Sequence, residues 1–263
     1  MMFPKNRYEA ETQKWRDLVY GNGGTVNDLS MGYLDTTVRA LKQYGLFKKL
    51  RMWNPVMGNN INSMVVPLVR DVGSIIHTNN AIVAADYAEN LGVKTDGGTK
   101  YINTGFAPDA APTMGISCYL RTAVTGTVVM IGCRDSGTTQ VYRIIRSGTT
   151  SGGAIGGTSL ATVSDVANTP AAFYHGVRGG STSNLLYRNG AQVGTESTST
   201  TPAGNSSQMY VLCQNSSAGA NSFLPINSYI AGYGVDDGTM TATDVLNYYN
   251  AIQALQTSLG RQV

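Results

Sequence analysis

Apolar residues recur at helical spacing in the first part of the chain. Tyr8, Trp15 and Val19 fall at i, i+7 and i+11 before a glycine-rich segment, which predicts a short helix that ends in a left-handed residue. A second helix is predicted where Asp28 can cap the first turn and Gly45 marks the end. Its apolar stripe consists of Met31, Leu34, Val38 and Leu41.

The end of the chain repeats this helical pattern. Thr241 and Asp244 have the spacing of a capping box, and Gly260 can end the helix that they begin. The apolar stripe is formed by Val245, Tyr249, Ile252, Leu255 and Leu259. We therefore predict a C-terminal helix.

From residue 100 onward the pattern becomes that of short strands. Runs of β-branched and aromatic residues alternate with Gly, Ser, Thr and Asn clusters, which is typical of a sandwich, jelly roll or barrel. The predicted strands span residues 101–106, 114–122, 127–133, 140–146, 171–178, 185–188, 209–213 and 229–233.

Turn and loop signals divide this β region. Asn189-Gly190 can adopt the two positive φ angles of a type I′ turn, so a hairpin is predicted there. The Gly- and Ser-rich stretch 147–159 is interpreted as a long loop within one domain. Residues 46–96 are irregular and are interpreted as a connector packed on the domain, with Pro67 limiting its apolar run to an edge strand or an extended segment.

Composition narrows the class of protein. Charged residues make up 13% of the 263 residues, about half the usual share, and there are 31 glycines. Glu occurs only at positions 9, 11, 89 and 196. Because surface helices depend on Glu and Lys, this composition argues against a mostly helical protein.

Charge and cysteine content exclude further classes. A net charge of +3 without a long basic run argues against nucleic acid as a partner. There is no apolar stretch long enough to span a membrane and no secretory h-region at the start, so we expect a soluble chain that is not exported. Cys118, Cys133 and Cys213 lack metal-site spacing and are interpreted as buried free thiols.

Few residues are suited to catalysis. The two histidines, His77 and His175, lie outside nucleophile and metal motifs and are interpreted as structural. Asp236-Asp237 precedes a glycine and predicts a turn. A surface Ca²⁺ site there is the alternative, although Ca²⁺ takes about six to eight oxygen ligands. We therefore predict no catalytic residue, no metal site and no cofactor.

The remaining features suit binding. The chain has 15 Tyr and only five Phe, and its loops are rich in Asn, Ser and Thr. Tyrosine rings can stack on a ligand while their hydroxyls stay wet, and neutral polar loops can hydrogen-bond sugar hydroxyls. Tyrosine is also a good strand former, and the sequence leaves both interpretations open.

Several segments follow one another as in a known superfamily. The segments are 101–106 as an early strand, 175–180 with 186–190 as a central hairpin, and 229–233 before the final helix. In this order they resemble the concanavalin A-like lectin/glucanase superfamily, in its laminin-G-like jelly-roll branch. Residues 240–253 and the stretch 41–55 are similar to segments that flank this domain in virion proteins of tailed phages. The glucanase carboxylate motif and the acidic metal ligands of plant-type lectins are absent from this sequence.

The resemblance implies a mainly β fold, a two-sheet antiparallel jelly-roll sandwich, with an N-terminal helical extension and a C-terminal helix. The expected parts are a helical docking or oligomerisation segment (1–55), a connector (56–94) and the jelly roll with its helix (95–263). Large aromatics dominate interfaces, so Tyr8, Trp15 and Val19 are the residues expected to dock on the sandwich, a neighbouring copy or a virion scaffold.

The function expected from the resemblance is that of a non-enzymatic structural virion protein, on capsid or tail, that forms homo-oligomers, with a trimer favoured. Its lectin-like domain is expected to adhere to host or environmental glycans. One alternative is a polysaccharide-degrading enzyme on the same scaffold, for which Asp109, Asp135 and Asp165 are the carboxylates near predicted strands. Another is a decoration protein with no ligand.

Overall fold

A computed structural model describes residues 8–110, 113–135, 140–157, 160–164, 169–179, 183–197 and 203–263. Its α-helices are α1 (Ala10–Gly21), α2 (Asp28–Gln43), α3 (Ile61–Met64) and α4 (Ala242–Ser258), and short 3₁₀ turns lie at Phe47–Lys49 and Ala84–Asp86. Its strands, numbered along the chain, are β1 (Leu50–Asn54), β2 (Val69–Arg70), β3 (Thr78–Asn80), β4 (Tyr87–Ala88), β5 (Gly92–Lys94), β6 (Tyr101–Asn103), β7 (Thr113–Leu120), β8 (Val128–Arg134), β9 (Val141–Ser147), β10 (Thr150–Ile155), β11 (Ala161–Ser164), β12 (Ala172–Gly179), β13 (Ser183–Arg188), β14 (Ala191–Ser197), β15 (Tyr210–Val211), β16 (Gln214–Ser216), β17 (Gly219–Asn221) and β18 (Tyr229–Asp236).

The strands form two sheets that pack face to face. Sheet A runs in the order β14-β13-β12-β7-β18-β1-β2, with β5 beside β18 and β4 beside β5. Sheet B runs in the order β11-β10-β9-β8-β15-β6-β3, and the β16-β17 hairpin joins it at β8. Pairing among the described strands is antiparallel except between β16 and β8. The predicted two-sheet antiparallel sandwich is thus confirmed.

Helices cover the side of sheet A that faces away from sheet B. Residues of α1, α2 and α4 form one buried apolar cluster with sheet A residues that include Tyr119, Phe173 and Val177. A second cluster, which includes Ile116, Ile131 and Ile144, fills the space between the sheets. The described residues therefore form three layers, and none of the described helices lies on the outer face of sheet B.

The three long helices begin and end much as their patterns predict. The Thr241 hydroxyl accepts the amide of Asp244, and the Asp244 carboxylate accepts the amide of Thr241, which is the predicted capping box. At the start of α2 the cap is Asn27 rather than Asp28, because the Asn27 side chain accepts the amide of Ser30 at 2.8 Å.

Trp15 and Val19 face the interior of their own chain. Both side chains are fully buried, and the Trp15 indole nitrogen donates to the Val66 carbonyl at 2.9 Å. Their apolar surface packs in the cluster shared with sheet A, so of the three docking alternatives these two side chains take the sandwich of their own chain. Of the three residues expected at a docking face, only Tyr8 keeps part of its side chain exposed.

The stretch expected to be a connector contributes strands to both sheets. β1 pairs with β18 on one side and β2 on the other, and β3 forms the edge of sheet B beside β6. β1 shows no alternation in its sequence because both of its faces are buried: Met52 packs between the sheets and Trp53 packs under the helices. β2, just after Pro67, is an edge strand as expected.

The stretch predicted to be a long loop contains β10, which pairs with β9 and β11. Its glycines serve a close approach of the two sheets. A Cβ on Gly153 would lie 3.2 Å from the Gly176 Cα, and a Cβ on Gly176 would lie 2.9 Å from a methyl carbon of Ile144. Glycine in the interior of this strand therefore allows close packing, although a Gly- and Ser-rich stretch is more typical of a loop.

Two local predictions are confirmed in detail. Asn189 and Gly190 have φ angles of 51° and 79° and join β13 to β14, as a type I′ turn requires. Cys118, Cys133 and Cys213 are free and buried, and burial raises the pKa of each thiol. Thiolate chemistry is therefore suppressed at all three positions.

Candidate functional site

The residues closest to a catalytic arrangement are closed off from solvent. Ser117, His175 and Asp236 lie on β7, β12 and β18, and His175 Nε2 is 2.7 Å from an Asp236 carboxylate oxygen. The Ser117 hydroxyl is 3.2 Å from the Tyr248 hydroxyl on α4. Each of these side chains is at most 2% exposed. With α4 packed over them, these side chains are enclosed within the protein, and His175 is held by its contact with Asp236.

Of the three candidate carboxylates, the structure describes Asp109 and Asp135. Asp109 is exposed at 3.2 Å from Arg51, while Asp135 follows the end of β8. Asp165 lies outside the described residues. Within the described ranges, no group of three or more His, Cys, Asp or Glu side chains is placed to hold a metal ion. The amides of Gly238 and Thr239 donate to Asp236 and Asp237 respectively, so this pair forms the predicted turn.

The outer face of sheet B carries a row of polar and aromatic residues. Arg143, Gly132, Tyr210 and Asn103 are paired in register across β9, β8, β15 and β6. Residues opposite one another in adjacent strands point to the same side of a sheet. The neighbouring residues Ile102, Ile131 and Val211 are buried between the sheets, so the row faces outward.

Three aromatic rings form a platform at this row. Tyr101 stacks on Tyr210 with ring centroids 4.4 Å apart and planes 22° apart, and the ring of Phe223 meets Tyr101 edge-on at 6.4 Å. All three side chains are partly exposed. Burial and the adjacent Tyr101 raise the pKa of Tyr210 to about 12, so its hydroxyl stays protonated at neutral pH. The platform therefore offers apolar ring surface with a neutral polar rim.

Amide side chains border the aromatic platform. The Asn103 side-chain nitrogen donates to the Gln208 side-chain oxygen at 2.7 Å, and the Asn215 side-chain nitrogen donates to the Gln208 backbone carbonyl at 2.8 Å. Asn221 donates to the Ser216 hydroxyl at 2.9 Å. These contacts fix the orientation of the amides. Tyr101, Tyr210 and Phe223 together with Asn103 and Gln208 are called the aromatic–amide patch below.

A separate groove of about 580 Å³ lies on the helical side of the molecule. It is lined by Tyr8 and by the oppositely charged Glu9, Lys14, Asp17 and Arg39 among others. The Glu9 carboxylate is 2.8 Å from Arg39 and 2.8 Å from Lys42. Most of the charged side chains that line the groove are thus paired with one another or with nearby residues of the chain.

The sequence pattern places Tyr101, Asn103 and Tyr210 in two predicted strands but assigns ligand binding to none of them. Tyr210 lies 109 positions after Tyr101. Their meeting depends on β6 and β15 being adjacent in sheet B, which no local pattern encodes. The available signal was the excess of Tyr over Phe together with the Asn-rich turns.

Comparisons with known proteins support the fold. No family model and no curated protein matches the sequence. The receptor binding domain of botulinum neurotoxin C/D mosaic serotype superposes with a TM-score of 0.52 at 9% identity, covering 77% of this chain and 51% of that one. A mutant Trypanosoma rangeli sialidase that displays trans-sialidase activity gives a TM-score of 0.51 at 10% identity, covering 84% of this chain and 39% of that one. This chain thus spans about half or less of the length of these neighbours.

Among the described residues, none of the helices is both long and apolar enough to cross a bilayer.

Proposed function

We propose that this protein is a non-enzymatic carbohydrate-binding sandwich that binds glycans on the aromatic–amide patch. The observation that carries the proposal is the stacked Tyr101–Tyr210 pair in register with Asn103 on the outer face of sheet B. Sugar rings present C–H groups to aromatic faces and hydroxyls to amides, and the patch supplies both kinds of partner without charge.

The fold neighbours are compatible with this proposal. One is named for receptor binding and another for sialidase activity, and each contains a sandwich similar to this chain. Since identities of 9% and 10% bear on the fold alone, the glycan ligand rests on the geometry of the patch.

A screen of immobilised glycans tests the proposal. The full chain and its Tyr210→Ala variant are applied to the same array, with Tyr44→Ala as the matched control because Tyr44 is 47% exposed at the end of α2. We expect roughly tenfold weaker binding for Tyr210→Ala, the loss of one aromatic contact, and unchanged binding for Tyr44→Ala. Equal binding by all three proteins would overturn the patch as the site. No binding at high avidity would favour the decoration protein without a ligand.

We further propose that the protein is a structural component of a tailed-phage virion, present as a homo-oligomer, with a trimer favoured. The support is the similarity of residues 240–253 and 41–55 to segments of such virion proteins. Weak single-site affinity becomes strong adhesion when many copies are held on one particle. The groove lined by the partly exposed Tyr8 is one surface of the N-terminal segment that is open for docking.

Electron microscopy of phage particles labelled with antibody against this chain tests the virion location. We expect label at a fixed position on head or tail, and particles without label would overturn the virion role. Light scattering of the purified chain measures its oligomeric state, and a monomer at high concentration would contradict the trimer. A Tyr8→Ala variant that assembles normally would remove Tyr8 from the docking surface.

A further inference from the structure

Two arginines stand on the outer face of sheet B beside the aromatic–amide patch. Arg143 on β9 is paired with Gly132, and Arg134 at the end of β8 is paired with Val141, so the two arginines are diagonal neighbours. Diagonal pairs of this kind project from one side of a sheet and lie within reach of each other when the side chains are long. Both side chains are partly exposed.

No acidic group neutralises these two charges among the residues that the structure describes. Neither guanidinium has a carboxylate oxygen of the described residues within 4.0 Å, although four other pairs of an arginine with a carboxylate occur in the described chain. Arg143 donates instead to the neutral side-chain oxygen of Gln214 at 3.2 Å. Burial, and then the nearby charge of Arg134, lower the pKa of Arg143 to about 10. Two like charges are thus held together without a counterion from the described chain.

Unused hydrogen-bonding capacity lies beneath the same arginines. The Arg143 Nε, the Gln214 side-chain nitrogen and the Asn221 side-chain oxygen are buried and have no partner in the described structure. Gln214, only 1% exposed, pairs with Asn221 across the β16-β17 hairpin. Buried polar groups are normally satisfied, because each unsatisfied one costs about 1–3 kcal/mol. Such a cost is tolerated where a bound ligand or water completes the set.

We infer that the ligand is an anionic glycan whose carboxylate or sulfate group binds between Arg134 and Arg143 while its sugar rings lie on Tyr101 and Tyr210. This inference rests on the proposed glycan-binding function and gives it a substrate class. The guanidinium group matches carboxylate and sulfate oxygens with a planar fork of donors. Arg143 and Tyr210 are two strand spacings apart, about 10 Å, so a ligand that reaches both is an oligosaccharide.

Paired polymers that differ only in charge provide the experiment. The pairs are polygalacturonate and its methyl ester, a sialylated glycoprotein and its desialylated form, and dextran sulfate and dextran. We expect the acidic member of at least one pair to bind at least roughly tenfold more tightly than its neutral counterpart, the worth of one charge-assisted hydrogen bond. A preference confined to dextran sulfate assigns the anion as sulfate, and a preference for the other pairs assigns it as carboxylate.

Variants separate a built site from general charge attraction. Arg134→Gln and Arg143→Gln are each expected to remove most of the acidic preference and to leave binding of the neutral member unchanged. Arg16→Gln, on α1 across the molecule, changes the net charge equally and is expected to have no effect. Arg143→Lys keeps the positive charge but lacks the planar donors of the guanidinium group, so it tests whether those donors are needed. Unfolding midpoints confirm that each variant is folded.

The outcomes distinguish this inference from the proposed function. If neutral and acidic members bind equally and Tyr210→Ala weakens the binding of both, the anionic preference is overturned and glycan binding stands. If no polymer of the panel binds, both are overturned. An acidic preference that Arg16→Gln reduces as much as Arg143→Gln does would also overturn the inference, because it would show attraction by net charge alone.

Discussion

His175 and Asp236 share a hydrogen bond of 2.7 Å although their strands, β12 and β18, are separated by β7. The β7 residue opposite Asp236 is Gly115, whereas the β7 residue opposite His175 is Ser117, so the carboxylate reaches diagonally across β7. A Cβ at Gly115 would lie 2.2 Å from an Asp236 oxygen. Because Gly115 has no side chain, the Asp236 carboxylate occupies the space above it and reaches the His175 imidazole.

The residues around this contact pack against α4 and hold it on sheet A. The Tyr248 ring on α4 meets the rings of Phe173 and His175 edge-on, at 5.4 and 5.9 Å, and its hydroxyl contacts Ser117. Polar and aromatic contacts thus fix one orientation of α4 on the sheet. The same packing buries Ser117, His175 and Asp236, so these side chains are not accessible to a substrate.

Asp236→Ala is expected to lower the free energy of unfolding by about 3–5 kcal/mol, because removal of one partner of a buried pair leaves the other unsatisfied. It also removes the acceptor of the Gly238 amide. Chemical denaturation monitored by tryptophan fluorescence measures the loss. Asp237→Ala is the matched control, since Asp237 makes turn contacts at the surface and its loss is expected to cost about 1 kcal/mol. Equal losses for the two variants would contradict the role of the buried pair.

The pH dependence of stability is expected to report on His77. This side chain is 2% exposed and contacts the Tyr233 hydroxyl at 2.7 Å, and burial lowers its pKa to about 3. The unfolded chain, with a His pKa near 6.5, binds the proton between these values while the native state does not. The His77 contribution is therefore fully present above pH 6.5 and is lost progressively as the pH falls toward 3.

His77→Gln removes this contribution and serves as the comparison. Between pH 7.5 and 4.5 the original chain is expected to lose roughly 2.5 kcal/mol more stability than the variant, at about 1.4 kcal/mol per pH unit below 6.5. Carboxylates titrate in both proteins, so the difference between the two denaturation series isolates His77. Parallel series would show that His77 takes up its proton in the native state as readily as in the unfolded one.

The sequence predicts those elements that bury only one face, because their apolar residues then recur at regular spacing. The Leu34 and Val38 stripe of α2 and the positive φ angles at Asn189 and Gly190 are local properties, and the structure confirms both. β1 and β10 were missed for opposite reasons. β1 is buried on both faces, so apolar and polar residues do not alternate along it. β10 contains glycines because the neighbouring sheet packs too close to leave room for side chains there.

The candidate site was beyond sequence reasoning for a different reason. Tyr210 and Asn103 come from β15 and β6 and meet only through the register of sheet B. Composition indicated that tyrosine and amides were plentiful, but the strand order that collects them is decided by pairing over more than a hundred residues. The docking residues illustrate the converse case. Trp15 and Val19 have a pattern that suits an interface, and the partner they find is their own sheet layer.

Arg261 joins segments that are distant in the chain. Its guanidinium group is fully buried after α4, and Nε donates to the Gln256 side-chain oxygen at 2.5 Å. The terminal nitrogens donate at 2.6–2.9 Å to the backbone carbonyls of Pro55, Val56, Glu89 and Ala231. Burial lowers its pKa to about 10, which still leaves it charged at neutral pH.

Arg261→Ala is expected to destabilise the protein by about 3 kcal/mol or more, because several buried carbonyls lose their donors at once. Arg261→Lys is expected to recover only part of this loss, since an ammonium group lacks the planar fork. Thermal unfolding measures both, with the exposed neighbour Gln262→Ala as a control expected within about 0.5 kcal/mol of the original chain. Full recovery by lysine would show that charge alone holds these segments.

Gly190 and Gly126 separate backbone strain from steric overlap. Both have φ near +80°, but a Cβ at Gly190 would lie 2.9 Å from a methyl carbon of Leu246 and 3.1 Å from its Cα, whereas nothing lies within 4 Å at Gly126. Gly126→Ala is expected to cost about 1 kcal/mol, the penalty of the left-handed conformation. Gly190→Ala is expected to cost about 1–3 kcal/mol more, because the β13-β14 turn must move away from α4. Urea denaturation of both variants measures the difference. Equal costs would mean that the turn yields freely, and that the contact between this hairpin and α4 contributes nothing to stability.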